Sequence, residues 1–127
     1  MSNTLTNGIR IKVNAEYLET ESNPNQGNFL FAYHITISNE GAANAQLINR
    51  HWIITNANGS QQEVRGPGVV GHQPLLRPGE SFQYSSYCPL DTPVGTMEGS
   101  YQMIENEQKL FEAKITPFTL AVPGMFQ

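Results

Sequence analysis

The chain is poor in the residues that most simply announce chemistry. It has a single cysteine, Cys88, in 127 residues. No disulfide can form within it, which excludes a disulfide-stapled scaffold and suits a reducing compartment. In "SSYCPL" that cysteine stands between an aromatic and a proline, the setting of a half-buried strand residue rather than of a nucleophile. Charge is sparse too: 7 basic against 11 acidic residues leave a net −4. The bases, Arg10, Lys12, Arg50, Arg65, Arg77, Lys109 and Lys114, are scattered, so there is no basic stripe for a nucleic-acid partner. A small phosphorylated ligand needs only one or two bases and stays open. No apolar run approaches the ~20 residues of a membrane helix. "MSNTLTNGIRIKV" lacks the apolar segment of a secretion signal. The expected setting is therefore soluble and cytoplasmic, without membrane attachment. The length suits one domain, residues 1–127, large enough to bury a core unaided.

Helical periodicity is also missing. No long window repeats apolar residues at three and four, so no α-helix is predicted. What is there is a period of two. In "IRIKVNAEY", Ile9, Ile11, Val13, Ala15 and Tyr17 alternate with polar residues, and Phe29, Phe31, Tyr33, Ile35 and Ile37 do the same in "FLFAYHITI". In "QLINRHWIIT", Ile48, Arg50, Trp52 and Ile54 fall opposite Leu47, Asn49, His51 and Ile53. Asn58-Gly59 reads as a hairpin turn, both residues tolerating positive φ, with "SQQEVR" returning as a short polar edge strand. Past Pro78-Gly79, Phe82, Tyr84 and Cys88 share a face, as do Met97, Tyr101 and Met103, then Phe111, Ala113 and Ile115. Pro117 marks a bulge or an edge position. About seven or more antiparallel strands with frequent turns predict an all-β sandwich of the immunoglobulin or fibronectin type III kind, with Trp52 in its core. The apolar tail "AVPGMFQ" is expected to dock on its own domain or on a neighbouring chain. With the polar edge strand it leaves a homodimer open.

Catalytic and metal signatures are absent. His34, His51 and His72 stand alone, with none of the short spacings of a zinc site. The acids are spread along strand faces and turns, unlike a magnesium site. The serines lie on a strand without a nucleophile elbow, so no catalytic residue, metal ligand or cofactor is assigned. One motif remains: "RGPGVVG" holds Gly-x-Gly-x-x-Gly at Gly66, Gly68 and Gly71. In a dinucleotide-binding unit this loop must open a helix. Pro74 and Pro78 forbid one here. A narrower reading keeps Arg65, Gly66, Gly68, Val69, Val70 and Gly71 as an anion-binding nest of backbone amides. The bland reading gives the glycines positive φ and close packing where the chain crosses between sheets.

The segments "RHWIIT", "GSQQEVRGPGVVGHQPLLRPGESFQYSS", "TPVGTMEGSYQMI" and "FTLAVP" together resemble the ApaG family, from about Ile9 to Pro123. The resemblance implies a fibronectin type III-like fold and a bacterial cytosolic protein. It implies a link to cobalt and magnesium efflux, and a gene neighbourhood that includes a diadenosine tetraphosphate hydrolase. Related domains serve as modules in eukaryotic F-box and polymerase-interacting proteins. The resemblance therefore implies a non-enzymatic binding module acting through a protein partner. The glycine-rich stretch, proposed in the family as a pyrophosphate site, carries over onto Gly66, Gly68 and Gly71 and implies a pyrophosphate-containing nucleotide as the alternative ligand. This chain departs from the family at Asn56, where Asp is common, and in "ENEQK", which lacks a glycine often found in that turn.

Overall fold

The computed structural model describes residues 1–124. Among these residues nine strands form: β1 (Ser2–Thr6), β2 (Ile9–Tyr17), β3 (Phe29–Asn39), β4 (Ala45–Asn56), β5 (Gln61–Pro67), β6 (Leu75–Leu76), β7 (Ser81–Leu90), β8 (Val94–Glu105) and β9 (Lys109–Ala121). The only helical element among the described residues is a 3-10 turn at Pro24–Gln26. One sheet runs β1-β2-β3-β7 and the other β5-β4-β8-β9, with β6 also beside β4. Every pairing is antiparallel. This is the sandwich that the alternation predicts.

The two inner faces meet in one core. Ile11 and Ile37 from the first sheet and Leu47, Tyr101 and Met103 from the second are fully buried. Trp52 sits among Tyr33, Tyr101 and Phe118, with ring centroids 5.5, 6.3 and 6.0 Å away and the planes steeply crossed. Its indole N–H has no hydrogen-bond acceptor among the described residues.

Two irregularities adjust the alternation. The β4–β8 register slips between Leu47 and Asn49, leaving Ile48 as the extra residue. A bulge shifts the side-chain parity, so Leu47 and Trp52, expected on opposite faces, both enter the core. The β8–β9 register slips between Met97 and Gly99, opposite Thr116 and Pro117. Pro117 thus lies at a bulge, where a strand tolerates a missing N–H. The hairpin at Asn58-Gly59 forms, but only Gly59 has positive φ, 83°. Asn56 bonds both Gly59 and Ser60, a longer loop closed by a glycine in the left-handed region rather than a two-residue turn. Strand β1 has no counterpart in the sequence reading, and Asn7-Gly8 makes its turn.

One side of the sandwich is closed where β1 meets β9: the hydroxyls of Ser2 and Thr116 bond at 2.7 Å, and Thr4 donates to the Lys114 carbonyl. On the other side the chain crosses from β5 and β6 to β7, and the glycine-rich loop fills the gap. Val122 packs on the core and its amide bonds the Pro93 carbonyl. The rest of the expected tail docking concerns residues 125–127, outside the described residues.

Candidate functional site

The site begins at the β4 bulge. Beyond it Arg50 points to the same inner face as Trp52, opposite Tyr101 on β8 and Gly66 on β5. Gly66 makes room for the guanidinium: a Cβ there would lie 2.9 Å from Arg50 Nη2. Arg50 Nη1 donates to the carbonyls of Pro67 at 2.9 Å and Gly68 at 3.0 Å, pinning the start of the loop. Nε and Nη2 have no acceptor among the described residues, and no carboxylate pairs with Arg50 there.

The loop folds back over this arginine. Gly68 has φ 61°, and a Cβ on it would sit 2.3 Å from the His72 carbonyl oxygen. Val69 is 1% exposed and plugs the core from the side. Val69 and His72 exchange both backbone hydrogen bonds at 2.8 Å, so Val70 and Gly71 form the two-residue turn between them. Their φ values are 43° and 81°. That turn requires positive φ at both positions, and a β-branched residue such as valine is strained there.

The amides of the loop divide sharply. Gly68 donates to Ile48, Val69 to His72 and His72 to Val69, and Pro67 has no N–H. Only the amides of Val70 and Gly71, at the exposed tip, have no protein acceptor among the described residues. Both residues line a cavity of about 230 Å³, together with Tyr33, Arg50, Val69, Tyr84 and Ser86. Burial raises the phenol pKa of Tyr33, although its hydrogen bond to Ser86 works the other way. Burial likewise raises Tyr84 and the almost wholly buried Tyr101, whose hydroxyls bond each other. All three phenols are therefore neutral near pH 7; one proton of the Tyr84–Tyr101 pair is used between them, and Tyr33 and Tyr84 are the hydroxyls that line the cavity. Among the described residues, Arg50 is the one full charge that lines the cavity.

Of the residues named from sequence, Val69, Val70 and Gly71 line this cavity, while Gly66 and Gly68 lie against the Arg50 guanidinium. Arg65 does not. Its guanidinium lies on the outer face of the sheet, 3.2 Å from Glu63, which also meets His51 at 2.8 Å. Those contacts, His51 first and then Arg65, hold the Glu63 carboxyl below its ordinary pKa. His72 rests its ring against Phe82. Arg50 is the cation the sequence reading passed over. Its signal was an arginine on the apolar face of "INRHWI", between Ile48 and Trp52.

Elsewhere, the register joins a row that no spacing announced. His34 Nδ1 lies 2.6 Å from Ser85 Oγ, and His34 Nε2 is 3.6 Å from Glu16. All three side chains are exposed, so nothing there excludes water from a reaction. The row serves as cross-strand polar pairing. Among the described residues no three of His, Cys, Asp or Glu gather as a metal site. No described helix is long and apolar enough to cross a membrane.

A family model described as "ApaG domain" matches residues 19–105. Protein ApaG of Thiobacillus denitrificans is 57% identical over 115 residues, covering 91% of each chain. Protein ApaG of Anaeromyxobacter dehalogenans is 49% identical over 98% of each chain. The crystal structure of the ApaA protein from Bordetella pertussis superposes with a TM-score of 0.89 at 48% identity, covering 91% of this chain and 94% of that one. The inner-face arginine, the glycine loop and the sandwich around them thus sit in a chain that belongs to the ApaG family.

Proposed function

We propose that this domain is a non-enzymatic binding module whose ligand is a phosphate-type anion held between Arg50 and the tip of the glycine-rich loop. The observation that carries the reading is an inward-pointing arginine with no carboxylate partner among the described residues, in a chain with 11 acids. A partly buried charge is costly to leave uncompensated, and a bound anion would compensate it. A guanidinium matches phosphate oxygens with paired donors. The free amides of Val70 and Gly71 and the neutral tyrosine hydroxyls add donors around it. The cavity, about 230 Å³, is below the usual ~300–1,000 Å³ of small-molecule pockets. It takes the phosphate end of a ligand, and a nucleoside would lie outside. Pyrophosphate-containing nucleotides are the ligand class this favours, in the cytoplasm. An effect on cobalt and magnesium efflux is then indirect, since divalent cations travel with such phosphates. A protein partner belongs to the same module reading, and the unpaired edge of β5 is the feature that favours one.

Titration with pyrophosphate, ATP and diadenosine tetraphosphate, followed by backbone amide NMR, tests the proposal. Val70 and Gly71 should shift saturably in the wild type and in Arg65→Gln, but not in Arg50→Gln. Amides that stay fixed at millimolar ligand, or an Arg50→Gln variant that binds as well as wild type, would overturn it.

A further inference from the structure

Strand β5 ends its sheet, and its hydrogen-bond phase can be fixed from both ends. Asn56 N donates to Ser60 O at 3.0 Å, and Gly68 N donates to Ile48 O at 2.8 Å. The register between these points is unbroken. The even-numbered residues of β5 therefore bond β4. Gln61, Glu63 and Arg65 turn both N–H and C=O toward the open side. Pro67 is on the same phase, so its missing N–H lies on the open side, where a strand proline is tolerated.

The other edges are attended. β1 and β9 lie side by side, joined by the Ser2 and Thr4 hydrogen bonds. β7 runs beside the glycine loop, with His72 on Phe82 and Tyr84 in the shared cavity. An unpaired row of backbone donors and acceptors is a template for another strand. The charge pattern on this row is specific. Glu63 and Arg65 flank Val64 on the exposed outer face, with opposite signs at equal distance from it.

We propose that two copies of this chain pair edge to edge through β5, antiparallel, about a two-fold axis at Val64. In that register Glu63 faces Arg65 of the second copy, and Arg65 faces its Glu63. The open-phase groups of these residues meet, giving about four backbone hydrogen bonds. Opposite charges then stand directly across the junction on one face. Moving the axis to Glu63 would set two carboxylates against each other, which is disfavoured. Pro67 stops the pairing at one end because it has no donor to offer. The contact is isologous and closes on itself, so it yields a dimer and not a fibre. It is small and solvent-exposed, so the dimer is weak and salt-sensitive.

Sedimentation velocity across a concentration series tests it, with circular dichroism confirming that each variant folds. The wild type should dimerise reversibly as concentration rises. Glu63→Arg and Arg65→Glu should each weaken the dimer by about tenfold or more, because each places like charges across the junction twice. The double variant Glu63→Arg/Arg65→Glu should restore it. Hydrogen exchange on the unmodified protein gives a second reading: the amides of Glu63 and Arg65 should gain protection with concentration, while that of Val64, bonded to β4, is protected throughout. A wild type that stays monomeric at millimolar concentration overturns the proposal. So does a dimer indifferent to the single reversals, one the double variant does not restore, or edge amides unprotected in the dimer.

Discussion

Three turns in this protein hold two successive residues at positive φ, with different residues in them. Asn7 and Gly8 have φ 49° and 82°, Val70 and Gly71 have 43° and 81°, and Asn106 and Glu107 have 48° and 60°. The first is the residue pair such a turn favours. Each of the others departs at one position: a β-branched valine stands where the first turn has asparagine, and a glutamate where it has glycine. Left-handed φ costs an ordinary L-residue about 1–2 kcal/mol, while glycine gives back part of that gain through its freer unfolded chain. Glu107→Gly should therefore stabilise the fold by about 0.5–1 kcal/mol, and Val70→Asn by about as much. Urea unfolding with an unchanged m-value would measure both. A loss of stability at Glu107→Gly would mean that the glutamate side chain makes a contact worth more than the strain. Because Val70 is exposed and lines the cavity, its strain sits at the candidate site, where backbone outliers tend to concentrate.

At the scale of elements, the glycines of the loop do different work. The loop packs closely between the sheets and also leaves amides free, at different glycines. At Gly68 a side chain would run into the His72 backbone, whereas at Gly71 there is open space and only the positive φ objects. Gly68→Ala should destabilise by about 3 kcal/mol or more, and Gly71→Ala by about 1 kcal/mol. Thermal unfolding of the two variants checks the order, and equal losses would refute the division of labour. Spacing showed both positions as glycine but could not rank them, because the difference lies in a carbonyl four residues further on that only the folded turn brings near. The same holds for the strands. Alternation placed Ile9 to Tyr17 and Phe29 to Ile37 correctly, since their pairing is regular. In β4 it failed at Ile48, where a bulge defined by the partner strand reverses the parity. β1 escaped notice because its burial runs against its polarity: Ser2 is 3% exposed and Leu5 53%. Arg65 was named for the site by adjacency in sequence. Arg50 belongs there by adjacency across the sheet.

For the whole molecule, two kinds of titrating group confine stability to a window of pH. On the acid side, Arg10 holds Glu40 below its ordinary value of 4.5, chiefly by their hydrogen bond, and His51 with Arg65 does the same for Glu63. A depressed carboxyl stabilises above its unfolded pKa and loses that contribution as pH falls from 4.5 through the lower folded value. These carboxylates are exposed, so salt screens them and the acid limb should be shallow. On the alkaline side the shifts come from burial. Cys88 is pushed from 9.0 up to about 11, and Tyr33, Tyr84 and Tyr101 are raised above 10.0. A group whose folded pKa is raised favours the fold fully below its unfolded value. That advantage is lost as pH climbs from 9.0 through the folded values. Desolvation, unlike an exposed ion pair, is not screened by salt. Urea midpoints should therefore hold level between about pH 5 and 9, fall gently below and steeply above, and respond to added salt only on the acid limb. Cys88→Val should delay the alkaline fall, since it removes the group that begins to titrate first, while the tyrosines still bring the fall on at higher pH. An alkaline limb that flattens in salt would show that surface charge, and not the buried tyrosine cluster beneath the glycine loop, sets the upper limit of the fold.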